Sequence, residues 1–509
     1  MKIFLCGLWA VLFTTMLHSQ AIAAAMSCES LTSLALPNAT ITLAQVVPAG
    51  GLSRPVIGPQ AALQGFSNPI AMCRVAATLR PSPDSDIKIE VWMPTSRWNG
   101  KFQAVGNGGW AGSINYPAMS EALRRGYATS STDTGHTGRT GSFALGHPEK
   151  LIDFGYRSVH EMTVRAKAII DAFYGNGPRY SYWNGCSGGG RQGLMEAQRF
   201  PNDFDGIIAG AAANPRTRLY ARYLWVAHAT LKDPASYIPP TKYPMIHQAV
   251  LNACDAIDGL KDGLIDDPTR CHFEPTVLEC KNGDGLACLT APQVEAPRKI
   301  MSPAISPRTG AEIFPRTEPG SELDWGFQAG GPEPPSLAID HFKYVVFEDP
   351  NWDWRALNFD TDVVLGDEID SGTTSAINPN LKAFASHGGK LLMYHGWSDR
   401  QVPPRASINY YKSVMDTMSG ATNTLDWLRL FMAPGMGHCR GGQGPNTFDA
   451  VGALEDWVEN GKTPDQIIAS HATDGKVDRT RPLCPYPQVA RYKGTGSMDD
   501  AANFVCKMP

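Results

Sequence analysis

The sequence predicts an α/β protein built on a mainly parallel sheet that is interrupted by one large insertion. Three observations lead to this. Strand and helix patterns alternate from Asp86 to Asp205; from about Asn214 to Pro379 the alternation stops, and prolines, aromatic residues and Asp-Gly pairs dominate; after Pro379 it resumes. The chain therefore divides into residues 26–213 as the first part of the sheet domain, 214–379 as an inserted domain, and 380–509 as the second part of the sheet domain. A sheet that pauses for an insertion and then continues needs no separate C-terminal domain.

Taken in order, residues 1–25 place Lys2 before an apolar run from Ile3 to Leu17 and end in small residues. That is the layout of a signal peptide cleaved after Ala23 or Ala25, and the run is too short for a membrane-spanning helix. Met26 to Pro83, rich in Pro and Ala with short apolar runs, reads as an irregular entry strand region. "IKIEVWMP", "KFQAV" and "YATSST" read as strands. Ser158 and Glu161 read as a capping box opening a helix from Val159 to Phe173. "RYSYWNG" is a strand, "RQGLMEAQRF" a helix stopped by Pro201, and "FDGIIAGAA" a short buried strand. Beyond the insertion, "GKLLMYHG" and "LRLFMAPG" are strands and "DAVGALEDWVEN" is a helix.

A net charge of -4 on 509 residues, with no basic run, argues against a nucleic-acid or anionic-membrane partner. Of the 11 cysteines, Cys6 leaves with the signal, and the ten that remain suggest five disulfides in an exported protein. Cys254 with Cys271, and Cys280 with Cys288, would close short loops. Cys28, Cys73, Cys186, Cys439, Cys484 and Cys506 are spread along the chain, and sequence alone leaves their pairing open. Asn38-Ala39-Thr40 is a glycosylation sequon.

The chemistry concentrates at "YWNGCSGGGRQG", Tyr182 to Gly193. Gly185-Cys186-Ser187-Gly188-Gly189 fits G-x-S-x-G between a strand and a helix, the setting of a nucleophile elbow. There a serine sits on a strained turn, and the N–H of the next residue, Gly188, faces an oxyanion at the positive end of the helix. A serine needs a base and an orienting acid, which follow it in chain order at the ends of later strands. Asp399 in "HGWSD" and His438 in "GMGHC" meet that requirement, whereas His136, His160, His228, His247, His272 and His395 are assigned structural roles. Cys186 and Cys439 adjoin the serine and the histidine, so a bond between them would hold the two loops in register.

With "GNGGWAG", "GCSGGGRQG", "CDAIDGLKDGLIDDPTRC", "HGWSD" and "GMGHC" in this order, the chain resembles the tannase and feruloyl esterase family of secreted α/β-hydrolases, which also includes hydrolases of mono(2-hydroxyethyl) terephthalate. The resemblance implies an α/β-hydrolase fold with a lid domain over 214–379, Ser187 as nucleophile, His438 as base and acid, Asp399 as its orienting carboxylate, and a Cys186–Cys439 bridge. It also implies that the N–H of Gly108 or Gly109 completes the oxyanion hole with Gly188.

Asp255, Asp258 and Asp262 supply closely spaced hard oxygen ligands suited to Ca2+, although the spacing is not that of an EF-hand, and ordinary Asp-Gly turns would look the same. The resemblance implies a structural calcium loop in the lid, with the carbonyls of Leu260 and Leu264 as further ligands. It further implies a small aromatic ester as substrate, of the kind carried on plant cell-wall polysaccharide. Feruloyl-type esters come first, with galloyl esters (a tannase) and terephthalate monoesters as alternatives. The alternative of another class is a catalytically inactive phenolic- or carbohydrate-binding relative, against which the intact Ser187, Asp399 and His438 argue. Trp325, Phe327, Phe342, Tyr344, Phe347, Trp352 and Trp354 are read as lid core before ring pocket. A secreted or periplasmic location follows from the signal; oligomeric state is not encoded legibly.

Overall fold

The computed structural model describes residues 25–54, 66–418 and 424–509. The expected signal peptide and Cys6 lie outside the described residues. Nine strands form the main sheet: β1 Ala39–Val47, β2 Met72–Leu79, β3 Ile87–Pro94, β4 Lys101–Val105, β5 Ala128–Thr132, β6 Tyr180–Cys186, β7 Gly206–Gly210, β8 Lys390–Gly396 and β9 Leu428–Ala433. Their order across the sheet is β1-β2-β3-β5-β4-β6-β7-β8-β9. β1, β2, β3 and β5 pair antiparallel, and every later pairing is parallel. The main helices are α1 Tyr116–Arg124, α2 Ser158–Tyr174, α3 Gly188–Arg199, α4 Arg216–Thr230, α5 Arg405–Met418 and α6 Ala450–Asn460.

The central strands read as apolar runs because helices cover both faces. One face packs Phe102, Trp183, Ile207, Leu391 and Leu430 against α2 and α3 residues such as Met162, Ile169 and Leu194. The other packs Tyr182, Ile208, Leu392 and Phe431 against Leu454 and Trp457 of α6. Residues next to each other along a strand thus serve opposite cores, as a period of two requires.

β7 and β8 are hydrogen-bonded neighbours, with Lys390 opposite Gly206 and Tyr394 opposite Gly210. All of the chain from Ala211 to Gly389 lies between them, and it builds two further cores. One gathers Tyr223 and Leu224 of α4 with Phe314, Phe342, Trp354 and Phe359; the other gathers Tyr243, Ile246, Val294 and Trp325. Trp325, Phe342 and Trp354 are each at most 3% exposed, so the aromatic residues of this segment mainly fill its own cores. Among the described residues no helix is long and apolar enough to cross a membrane.

Two local expectations fail. The region before Pro83 is more ordered than expected: β1 and β2 are long strands paired from Ala39 with Leu79 to Val47 with Met72, with one register shift between Ile41 and Leu43. Its alanines are weak strand formers, but cross-strand pairing and the Cys28–Cys73 bond decide the outcome. Ser158 and Glu161 do not form a capping box, because helical backbone already begins at Pro148 and runs through residues 153–157 into α2. Pro148 supplies the start, as proline at a first helical position does. Ser158 is consequently buried inside a helical run, and Glu161 pairs with Arg165 at 2.9 Å.

Among the described residues five disulfides are present: Cys28–Cys73, Cys186–Cys439, Cys254–Cys271, Cys280–Cys288 and Cys484–Cys506. The two short loops and the long Cys186–Cys439 bridge agree with the sequence expectation, and the other two bonds resolve the pairing it left open.

Candidate active site

Ser187 stands between β6 and α3 with φ 62° and ψ -120°, a left-handed backbone that a serine adopts only under constraint. The constraint is visible in its hydrogen bonds. Its N–H donates to the Gly210 carbonyl at 2.9 Å, and its carbonyl accepts from Ala213 N–H and Arg191 N–H, each at 3.0 Å. The surrounding glycines follow from the same crowding: a Cβ on Gly185 would sit 2.4 Å from the Gly189 carbonyl oxygen, and one on Gly190 would sit 2.3 Å from the Gly210 carbonyl oxygen. Strand and helix can pass this closely only where side chains are missing.

Asp399 follows β8 and His438 follows β9, so both lie at the same carboxyl edge of the sheet as Ser187. His438 Nδ1 is 2.7 Å from Asp399 Oδ2. The other carboxylate oxygen, Oδ1, accepts the N–H groups of Gln401 at 2.7 Å and Val402 at 3.0 Å. Complete burial alone would push the Asp399 carboxyl up, but the two imidazoles of His438 and His395 outweigh it and hold the group far below the usual carboxylate range. The Cys186–Cys439 bond spans 253 residues and joins the neighbours of Ser187 and His438 with their Cα atoms 6.0 Å apart.

The glycine loop after β4 packs against the elbow. The amide nitrogen of Gly109 lies 3.2 Å from where a Cβ of Gly188 would stand, whereas Gly108 approaches with its Cα at 3.4 Å. Neither the Gly109 nor the Gly188 N–H donates to another group among the described residues. Of the two glycines left open by the sequence, Gly109 is the one whose N–H sits beside Gly188. Its φ of 59° turns the loop.

The intervening segment covers this edge of the sheet. Leu337 Cδ2 lies 3.0 Å from the Cβ position of Gly109, Ser398 Oγ donates to the Gly320 carbonyl at 2.9 Å, and Arg400 pairs with Asp324 at 2.9 Å. A cavity of about 420 Å³ opens elsewhere, among Asp86, Lys88, Asp133, His136, His147 and Lys150, and holds none of the three residues. Charged and polar side chains dominate its lining, with Phe143 and Leu145 beside them, and it holds no nucleophile–base pair, so geometry at the elbow decides the site, not cavity size.

Sequence reasoning missed two residues here. His395, assigned a structural role, donates to Asp399; its signal was the four-residue spacing within "HGWSD". Leu337 carries no motif, because only the return of the insertion brings it onto the glycine loop.

Around Asp255 the acidic residues gather as the sequence suggested, and Asp266 joins them. Asp255 accepts the N–H of Gly263 at 3.1 Å, and Asp258 and Asp262 accept those of Leu260 and Leu264 at 2.9 and 3.2 Å. Arg481, from the hairpin strand Lys476–Leu483, bonds Asp262 at 2.6 Å and Asp266 at 3.3 Å. One guanidinium therefore faces several carboxylates. The carbonyls of the buried Leu260 and Leu264 accept no hydrogen bond among the described residues. Unpaired carbonyls beside an excess of carboxylates fit a hard cation. A second cluster, His160, Glu196 and Asp203, brings three possible ligand atoms within 4.8 Å of one another. There burial and the Asp203 charge push the Glu196 carboxyl well above its ordinary range, and His160 bonds Asp203 at 2.7 Å.

A sheet of this order, with a serine on a strained strand-to-helix turn and an Asp–His pair after the last two strands, defines an α/β-hydrolase. The chain belongs to the tannase and feruloyl esterase family, whose sequence model matches residues 73–507, and it is a carboxylic ester hydrolase. An uncharacterized esterase of Xanthomonas campestris pv. campestris is 39% identical over 95% of this chain and 91% of its own. A probable feruloyl esterase B-1 of Aspergillus fumigatus is 36% identical over 86% of each chain. The crystal structure of feruloyl esterase B from Aspergillus oryzae superposes with a TM-score of 0.88 at 32% identity, covering 94% of this chain and 99% of that one. Tannin acyl hydrolase from Aspergillus niger shares the fold, with a TM-score of 0.77 at 23% identity over 93% of this chain and 92% of that one.

Proposed function

We propose that the protein is a secreted feruloyl-type esterase that hydrolyses esters of hydroxycinnamic acids through Ser187, His438 and Asp399. The observation that carries the mechanism is the 2.7 Å bond from His438 Nδ1 to Asp399, on a loop tied by disulfide to the neighbour of Ser187. That bond orients the ring so that Nε2 serves as the base. Ser187 Oγ loses its proton to Nε2 and bonds to the acyl carbon, and the oxyanion rests on the N–H groups of Gly188 and Gly109. The C–O bond to the alcohol then breaks as Nε2 returns the proton to the leaving oxygen. Water gives a proton to Nε2 and its oxygen to the acyl carbon, and the acid departs as Ser187 regains its hydrogen.

The acyl preference is supported by similarity to feruloyl esterase B over most of the chain. Initial rates on methyl ferulate, methyl p-coumarate, methyl gallate and a terephthalate monoester test it. The cinnamates should be cleaved fastest; preference for gallate would make the enzyme a tannase, and preference for terephthalate would overturn both. The segment over residues 214–379 is assigned as the lid. Export is supported by the apolar N-terminal run and the five disulfides.

Gly188→Ala is expected to lower kcat about 10²- to 10³-fold with KM within a few-fold, because its methyl would press on the Gly109 amide at 3.2 Å and spoil both oxyanion donors. Steady-state kinetics on methyl ferulate check this.

Calcium is assigned to Asp255, Asp258 and Asp262 with the carbonyls of Leu260 and Leu264; bound there, it would staple the loop without taking part in the chemistry. Chelation by EDTA is expected to lower Tm by about 3 °C, with recovery on adding Ca2+ and not Mg2+. Differential scanning calorimetry reads the shift.

A further inference from the structure

We propose that His395 is a positioning residue for the reaction: it fixes the carboxylate of Asp399 and limits how strongly that carboxylate holds a proton on His438. This rests on the triad reading above. His395 lies on β8 and is fully buried. Its Nε2 is 2.9 Å from the Val402 carbonyl oxygen and 3.1 Å from Asp399 Oδ2. A carbonyl oxygen can only accept, so Nε2 carries the hydrogen. Nδ1 is 2.8 Å from Ser407 Oγ, which donates to it in the neutral ring.

The tautomer is thereby set by groups on two different elements, the turn after Asp399 and α5. Asp399 then receives four donors: His438 and His395 on Oδ2, and the N–H groups of Gln401 and Val402 on Oδ1. A carboxylate has about four lone-pair sites, so this one is saturated and cannot rotate without losing a bond. Sharing Oδ2 between two imidazoles also divides its attraction, and removing one donor leaves the other held more strongly. The other titratable groups beside the network are Tyr223 of α4 and the Arg400–Asp324 ion pair, which faces Gly437. All of these stay in place when His395 is changed.

The test compares pH profiles of kcat/KM on methyl ferulate for the native chain, His395→Leu and His395→Gln, with Ser187→Ala as control. In His395→Leu, kcat should fall about tenfold with KM within twofold, and the acid limb should move up by about half to one pH unit, since protons must leave a more tightly held His438. Glutamine places an amide N–H near the position of Nε2, so His395→Gln should return the limb toward its native position. An unmoved limb in His395→Leu, or a glutamine variant no different from leucine, would mean that the ring only fills space, and would overturn the proposal. Should the leucine variant not fold, ¹⁵N-histidine NMR of the native chain, with the His395 signals assigned against the His395→Gln spectrum, decides: a His395 ring protonated at Nε2 and bare at Nδ1 is expected, and one protonated at Nδ1 alone refutes the tautomer. Activity surviving in Ser187→Ala would instead sink the triad reading and leave the His395 geometry unaffected.

Discussion

Replacing Ser187 with alanine is expected to lower kcat by about 10⁵-fold while leaving KM for methyl ferulate within a few-fold. The hydroxyl is the only atom removed, so what disappears is the bond to the acyl carbon, while contacts that hold the substrate persist. Alanine keeps the Cβ and hence the strained φ of 62° at the elbow, so Tm should stay within about 2 °C of native. Steady-state rates together with thermal unfolding check both halves. Residual turnover above about one percent would point to a different nucleophile, and a large fall in Tm would mean that the serine hydroxyl also braces the turn.

The second large effect concerns the Cys186–Cys439 bond. Changing both cysteines to alanine is expected to destabilise the fold by roughly 5 kcal/mol, the chain-entropy value for a closed loop of 253 residues. Activity should suffer separately, because Cys439 has φ 65° and its bond holds the preceding residue, His438, in place. A displacement of about 1 Å between base and nucleophile costs about 10²-fold in kcat. Guanidinium unfolding measures the first effect; kcat at a temperature where the variant is fully folded measures the second. Native kcat in a folded variant would show that the Asp399–His438 bond and the β8–β9 pairing suffice to place the base.

Much of this was legible because the signals are local. The elbow needs glycines where strand meets helix, and Gly185, Ser187 and Gly190 lie within six residues, so their pattern survives in one dimension. Asp399 and His438 could be found because each ends an apolar strand and the chain order of such sites is restricted. What stayed hidden depends on distant partners. β1 and β2 have unremarkable composition and exist as long paired strands because each is the other's neighbour and Cys28 reaches Cys73. His395 precedes the candidate acid in the chain, so the order Ser, Asp, His gives it no role, and only the turn back through Asp399 to Val402 gives its ring two acceptors. The capping box at Ser158 fails because a serine and a glutamate at capping spacing look the same inside a helical run as before one. That the Gly109 amide is the one brought nearer the elbow comes from the approach of the loop, which no spacing within "GNGGWAG" encodes.

The pairing of β7 with β8 across the whole intervening segment also governs the order of folding. A chain made from its N-terminus completes β1 to β7 long before β8, β9 and Cys439 exist, so seven of the nine strands must wait with an open edge at Gly206–Gly210. During that interval Cys186 is a free thiol, and Cys254, Cys271, Cys280 and Cys288 all appear before its own partner does. Each is a competitor for thiol–disulfide exchange. Oxidative refolding should therefore be slow and sensitive to a disulfide isomerase, with mispaired Cys186 as the species that accumulates.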